Sequence, residues 1–194
     1  MVEAAIGLIR QEGAEQLTTT GVTARAGIAQ SGFYLYFENI EDCKRAAAQQ
    51  VAAEVRQFVA EYRRRSGPEA DGDPAVIHDQ HQATLRLFLY ERRFAELLLR
   101  FRHDPSPLGE VLRELIDQLR GDLIDDLRQL VLRIAPGAAD ERRLTIYADV
   151  VMGMVMAVGE GLLDGRYDDP EPLARELTLA SFALAKATME NPPD

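Results

Sequence analysis

At 194 residues, 46% hydrophobic and 28% charged, the chain has material for one sizeable core or two small ones. A net charge of −10 excludes a protein that coats nucleic acid through bulk electrostatics. A single cysteine, Cys43, excludes a disulfide framework and fits a reducing, cytoplasmic interior.

No charged region precedes an apolar run at the N-terminus, so no signal peptide is expected. Residues 1–13 read as a first helix. Val2, Ala5, Ile6 and Ile9 make an apolar stripe at helical spacing, with Leu8 beside it, and Gly13 stops it. A second helix is predicted over residues 19–26. Thr18 can accept hydrogen bonds from its free amides. Gly21 inside it costs about 1 kcal/mol relative to Ala, so this helix leans on packing. Val22 and Ala26 fall four apart on one face, and Ala26 is small enough for a second helix to cross closely. Gly27 can take the positive φ that ends a helix cheaply, and Ile28 follows as an apolar plug under the turn. A third short helix over residues 30–36 places Phe33 and Phe37 inward. It leaves Gln30, Ser31, Tyr34 and Tyr36 for an outside surface. Asn39, with Asp42 three residues later, resembles a capping box. From there a long helix runs to about Arg65, with Cys43, Ala47, Val51, Val55, Phe58 and Tyr62 on its buried face. The whole reads as a helix-turn-helix with its supporting helix. In such a motif the second helix enters the major groove and its N-terminal residues meet base edges.

Residues 67–74 are a linker by composition. Helices are predicted over residues 75–90 and 93–101, the second strongly apolar through Phe94, Leu97, Leu98 and Phe101. Asp104-Pro105-Ser106-Pro107 breaks the chain. A long helix follows over residues 108–134, with Leu112, Leu115, Leu119, Leu123, Leu127, Leu130 and Ile134 inward. Pro136-Gly137 ends it. The next helix spans residues 140–164 and holds the most apolar window, residues 144–163, long enough to consider for a membrane span. Asp149, Glu160 and glycines 153, 159 and 161 interrupt that window. It is read as a buried helix of a soluble dimer, with no membrane partner. Gly153, Ala157 and Gly161 recur every four residues as a smooth strip for another helix. Asp168-Asp169-Pro170 opens the last helix, residues 171–189, where Leu173, Leu177, Ala180 and Leu184 form one stripe with Leu179 and Phe182 off it. Residues 191–194 read as a loose tail. No strand pattern or internal repeat is present, so the fold class is all-α. Two late helices, each apolar on more than one side, call for a twofold dimer with a four-helix interface. Gly153, Ala157, Gly161, Leu177, Ala180 and Leu184 are its expected contacts.

Ala26-Gly27-Ile28, followed by Phe33-Tyr34-x-Tyr36-Phe37, a cap and an acidic first turn, resembles the DNA-binding domain of the TetR (tetracycline-repressor-like) family of transcriptional regulators. The resemblance covers roughly residues 2–48. It implies an N-terminal three-helix helix-turn-helix domain over residues 1–47 and a helical ligand-binding and dimerisation domain over residues 48–194. It implies a homodimer joined through its last two helices, a near-palindromic operator in double-stranded DNA, and release by a small apolar effector. Relatives usually carry a basic arm before the first helix; here either that arm is short or missing or the start at Met1 is internal to a longer native chain. The candidate DNA contacts are Thr18, Thr19 and Thr20, whose hydroxyls and amides can hold phosphate. Gln30 can pair with adenine, Gly32 lets the backbone come close, and Ser31, Tyr34 and Tyr36 complete the surface. Ile40 stands where relatives usually carry a phosphate-binding lysine, Gln30 where a basic residue is frequent, and Ala29 where serine is. Lys44, one turn later, can partly replace the missing lysine. Through residue 45, four cations (Arg10, Arg25, Lys44, Arg45) stand against six acids, a balance of −2. That leaves a second reading open: a TetR-derived module that binds a ligand or protein and has weak or lost DNA binding.

The resemblance also implies an inducer cavity. Phe58, Tyr62, Phe88, Phe94, Phe101, Tyr147, Met152 and Met154 are its candidate lining, each also readable as plain core. His78-Asp79-x-His81 has metal-ligand spacing but no third ligand, so it is read as a solvated face. Cys43 is read as a small buried hydrophobe, and Arg63-Arg64-Arg65 as cations at a helix C-terminus. No nucleophile–base pair, phosphate loop or clustered metal set is visible, so neither an enzyme nor a cofactor is expected.

Overall fold

The computed structural model describes residues 1–66, 72–134 and 140–190. Most of the 67–74 linker, the Pro136-Gly137 break and the 191–194 tail lie outside the described residues, as do the side chains of Arg63, Arg64, Arg65 and Ile134. Among the described residues there is no strand; the regular structure is helical throughout. The helices are α1 (Val2–Glu12), α2 (Thr19–Ala26), α3 (Ile40–Ser66), α4 (Pro74–Tyr90), α5 (Arg92–Phe101), α6 (Pro107–Ile134), α7 (Glu141–Leu163) and α8 (Pro170–Glu190), with short 3-10 turns at Ala14–Gln16 and Gln30–Leu35.

The chain forms two compact units. The first holds Met1–Phe58 and Glu91–Ile116, and the second holds Val59–Tyr90 and Asp117–Asp194. In the first, Ala5, Ile6 and Ile9 of α1 are sealed together with Val22, Phe33, Cys43, Ala47 and Val51. The same core takes in Phe94 and Leu97 of α5 and Leu108, Val111 and Leu112 of α6. The unit therefore extends past residue 47: α5 and the front of α6 share a core with the N-terminal segment. A buried carboxylate fixes that docking. Glu91, only 7% exposed, accepts two hydrogen bonds from Arg10, from Nη2 at 2.6 Å and Nε at 3.0 Å. A planar guanidinium is suited to such a two-point contact.

In the second unit α4, α7 and α8 pack on one another. Leu85 and Phe88 of α4, Ala148, Val151 and Val155 of α7, and Ala174 and Leu177 of α8 supply the buried surface. Phe88 lies so close to α7 that a Cβ at Gly159 would fall 2.5 Å from its ring. Asp140 caps α7 by accepting from the Arg142 amide at 2.9 Å. Arg120 of α6 holds Asp149 of α7 in a two-point pair at 2.5 and 3.0 Å. Helix α7 is long and apolar enough to cross a membrane, with a mean hydropathy of 1.6. Here its Val151, Val155, Leu162 and Leu163 are buried within its own unit.

Candidate nucleic-acid interface and interior cavity

The helix-turn-helix is built by local hydrogen bonds. Thr18, in extended backbone, accepts from the Gly21 amide at 3.1 Å and so caps α2. Thr23 is buried and turns its hydroxyl back on the Thr19 and Thr20 carbonyls, at 2.9 and 3.1 Å. Gly27 closes α2 with φ 70° and ψ 29°, in the left-handed region. Its amide reaches the Ala24 carbonyl while the Ile28 amide reaches Thr23, which is the paired closure that needs glycine at the bend.

The next element differs in kind from the predicted α-helix. Gln30–Leu35 winds as a 3-10 coil, with the Gly32 amide on Ala29 and the Tyr36 amide on Phe33. Six residues are too few to offset α-helix nucleation, and short segments use the tighter turn. Phe33 is fully buried, its ring centroid 5.5 Å from both Tyr34 and Phe37. That anchor pushes the intervening side chains out: Tyr34, Leu35 and Tyr36 are 63%, 85% and 66% exposed. Gln30, Ser31, Thr18 and Thr20 are exposed, and Gly32 and Thr19 half-buried. Leu35 was not among the sequence-predicted contacts. Its signal was its place between two outward tyrosines, overlooked because leucine is usually assigned inward.

Asn39 accepts from the Asp42 amide at 2.9 Å and opens α3. The return bond of the predicted capping box goes one residue further back, from the Glu38 amide to Asp42 at 3.4 Å. Ile40 is half-buried against the first unit's core. All four cations of the first 45 residues have partners. Arg10 is held by Glu91, Lys44 by Glu41 at 2.8 Å, Arg45 by Asp42 at 2.5 Å, and Arg25 by the Gln11 amide oxygen at 2.8 Å. The Arg45 hydrogen bond holds the Asp42 carboxyl below its usual range. Cys43 has no exposed surface, and burial pushes its thiol up to about 11, which suits a packed hydrophobe and not a reactive thiolate.

The second unit contains a partly open cavity of about 110 Å³. Val76 and Ile77 of α4, Leu123, Leu127 and Leu130 of α6 and Val151 of α7 form its apolar wall. Gln80, His81, Asp126, Tyr147 and Ser181 supply its polar atoms. Tyr147 donates its hydroxyl proton to the Ser181 carbonyl at 3.0 Å, and burial lifts its phenol above the usual range. Ser181 Oγ is buried without a hydrogen-bond partner. A buried hydroxyl left so costs about 1–3 kcal/mol.

Of the eight side chains predicted to line an effector cavity, Tyr147 lines this one. Phe58, Phe94 and Phe101 belong to the first unit. Phe94 is in its core, Phe101 packs against that core under the Arg100 guanidinium, and Phe58 is exposed. Phe88 is spent on Gly159, while Tyr62, Met152 and Met154 are half-buried away from this cavity. The His78–His81 face is corrected by the structure. His81 is 8% exposed, and its Nδ1 lies 3.0 Å from Thr178 Oγ1, because α8 covers that side of α4. His78 faces Asp79 and Glu171, each at 3.4 Å.

The residues predicted for a dimer face also divide. Gly161 lies beneath Tyr167, and Leu177 is buried in its own unit. Gly153 and Ala157 are exposed, and Ala180 and Leu184 half-buried. Ile146 and Val150 continue the Gly153–Ala157 line, leaving an outward apolar face along α7.

Residues 1–47 match the family model described as bacterial regulatory proteins, tetR family. No curated protein matches the sequence significantly. Solved structures do. A protein assigned to the TetR family of transcriptional regulators from Mesorhizobium loti MAFF303099 aligns with a TM-score of 0.76 at 13% identity, over 96% of this chain and 93% of that one. The fatty acid degradation regulator FadR from Bacillus halodurans gives 0.67 at 20% identity, over 93% and 95%. FadR from Bacillus subtilis, in complex with stearoyl-CoA, gives 0.61 at 16%, over 97% and 95%. At these identities the likeness establishes the fold. The helix-turn-helix geometry and the match over residues 1–47 together identify that segment as similar to the N-terminal domain of the tetR family of bacterial regulatory proteins.

Proposed function

We propose that this chain is a cytoplasmic, ligand-responsive transcriptional repressor that acts without catalysis. It binds a near-palindromic operator as a homodimer and is released by a small effector. The observation that carries the reading is the outward projection of Tyr34, Leu35 and Tyr36 from the buried Phe33–Phe37 anchor, beside exposed Gln30 and Ser31. These side chains can meet sugar, thymine methyls and base edges, while the α2 start and its threonines hold phosphate. The dimer pairs the outward face of α7, Ile146, Val150, Gly153 and Ala157, with its copy and with Leu179 of α8. The effector sits in the second unit, and α3, which carries residues of both units, transmits its effect to the reading head. A gel shift on the promoter of its own gene at low salt tests this. Retardation is expected, and loss of retardation in Tyr34→Ala with Tyr36→Ala. An unshifted promoter at low salt counts against the reading.

One observation favours the second reading, a TetR-derived module with weak or lost DNA binding. Each cation of the first 45 residues already has a partner within the protein. Phosphate contact by Lys44 or Arg45 then requires exchanging an existing ion pair. Ile40→Lys separates the two readings. In a weak DNA reader it adds one phosphate contact per head, which steepens the dependence of log affinity on log salt by about 2 per dimer. An unchanged slope favours the module.

A further inference from the structure

The polar lining of the cavity carries a chemical preference that the family match over residues 1–47 does not supply. Thr178 has one hydroxyl proton, and its shorter contact, 2.7 Å, is to the Ala174 carbonyl. Its 3.0 Å contact with His81 is therefore one it accepts, so Nδ1 of the ring holds the proton and Nε2 offers a lone pair. Burial, reinforced by neighbouring His78, pushes His81 down to about 4 and keeps that ring neutral. Ser181 lines the same cavity, 97% buried by its 3% exposure, with its Oγ lacking a hydrogen-bond partner. Asp126 adds a carboxylate to the same lining, and Gln80 an amide that serves either polarity. Among the described residues no lysine or arginine lines the cavity.

We infer that this cavity takes a small, largely apolar molecule whose head group donates hydrogen bonds, a hydroxyl or an amine, onto His81 Nε2 and Ser181 Oγ, and that it discriminates against anionic heads. The inference rests on the effector reading of this cavity and names its ligand class. Size points the same way. The volume of about 110 Å³ is below the roughly 150 Å³ of an apolar cavity known to admit benzene, so a one-ring molecule seats its head inside with its ring at the partly open mouth, and a long acyl chain does not fit. A carboxylate would set its lone pairs against a ring nitrogen that can only accept. The serine hydroxyl, able to donate and to accept, gains a partner from any donor head.

Calorimetric titration of the full chain with a matched set of one-ring probes decides it: phenol, benzylamine, benzoate and toluene. Phenol or benzylamine is expected to bind at least roughly fivefold more tightly than toluene, the worth of one neutral hydrogen bond, and benzoate more weakly than toluene. Ser181→Ala is expected to remove that advantage and leave toluene binding unchanged. Which of phenol and benzylamine binds better tells whether a neutral or a cationic donor is preferred. Benzoate binding as well as phenol, no probe binding at all, or phenol affinity unaltered in Ser181→Ala would each overturn the inference. Release of DNA by the bound probe is a separate readout. Its failure would count against the regulator reading and leave the ligand class standing.

Discussion

Lowering the pH from 7 to 5 isolates one buried side chain. His81 titrates at about 4 in the folded chain, first because burial removes its charged form from water and second because His78 sits close by. Unfolded, it titrates near 6.5. Between those values the unfolded chain binds a proton that the folded chain refuses. Its contribution to stability is therefore intact above about pH 6.5 and declines as pH falls toward 4. Single-site linkage gives a loss of about 2 kcal/mol between pH 7 and pH 5. Thr178 of α8 touches the ring and His78 on its own helix lies near it, while Ser181 of α8, Asp126 of α6 and Tyr147 of α7 line the same cavity. Carboxylates held below their ordinary range, Asp42, Asp104, Glu141 and Asp149, lose their contribution lower down, as pH falls through and below about 4. Urea unfolding followed by circular dichroism at pH 7, 6 and 5, at one protein concentration, measures the slope. His81→Asn removes the titration and keeps an amide able to donate to Thr178. Wild type should lose about 2 kcal/mol more than His81→Asn across that window. Parallel profiles for the two proteins would refute a neutral buried His81.

Further outcomes follow from other contacts. Arg10→Ala leaves the Glu91 carboxylate buried without its partner. The cost is expected to be about 2 kcal/mol in urea midpoint experiments, below the roughly 3–5 of a wholly buried pair because Arg10 is partly exposed. Gly153→Ala meets nothing within 4 Å, so helix propensity favours it by about 1 kcal/mol in a monomer. If α7 pairs with a copy there, sedimentation should show a weakened dimer instead. Gly159→Ala drives a methyl to 2.5 Å from Phe88, and overpacking of about 1–3 kcal/mol should offset or exceed the propensity gain. A lower melting temperature for Gly159→Ala than for Gly153→Ala checks that ordering. Phe33→Ala removes the fully buried anchor, and calorimetry should record a loss of about 3–5 kcal/mol in the first unit.

The helix-turn-helix was legible because its determinants are local. The Thr18 cap, the Gly27 bend and the Phe33–Phe37 spacing each depend on residues within six positions. What the sequence left unread depends on distant partners. The stripe of Phe94 and Leu97 says that α5 is covered, and nothing in it says by what; α1 and its neighbours provide the cover. The four-residue repeat of small side chains on α7 marks close approach without naming the approaching group. At Gly161 that group is Tyr167 from the following turn. Choosing cavity residues by aromatic or thioether type selected good packers, and good packers such as Phe88 and Phe94 fill space. The cavity is bounded by aliphatic side chains and by polar ones, among them the buried His81 and Ser181, which a hydropathy pattern cannot assign to an interior.

The interleaving of the two units along the chain bears on how this molecule can be cut and recombined. A fragment ending at residue 47 would carry the helix-turn-helix but forfeit Phe94, Leu97, Leu108, Val111 and Leu112, leaving α1 with a bare oily flank. A chimaera meant to move this unit onto another protein must graft Met1–Phe58 and Glu91–Ile116 together.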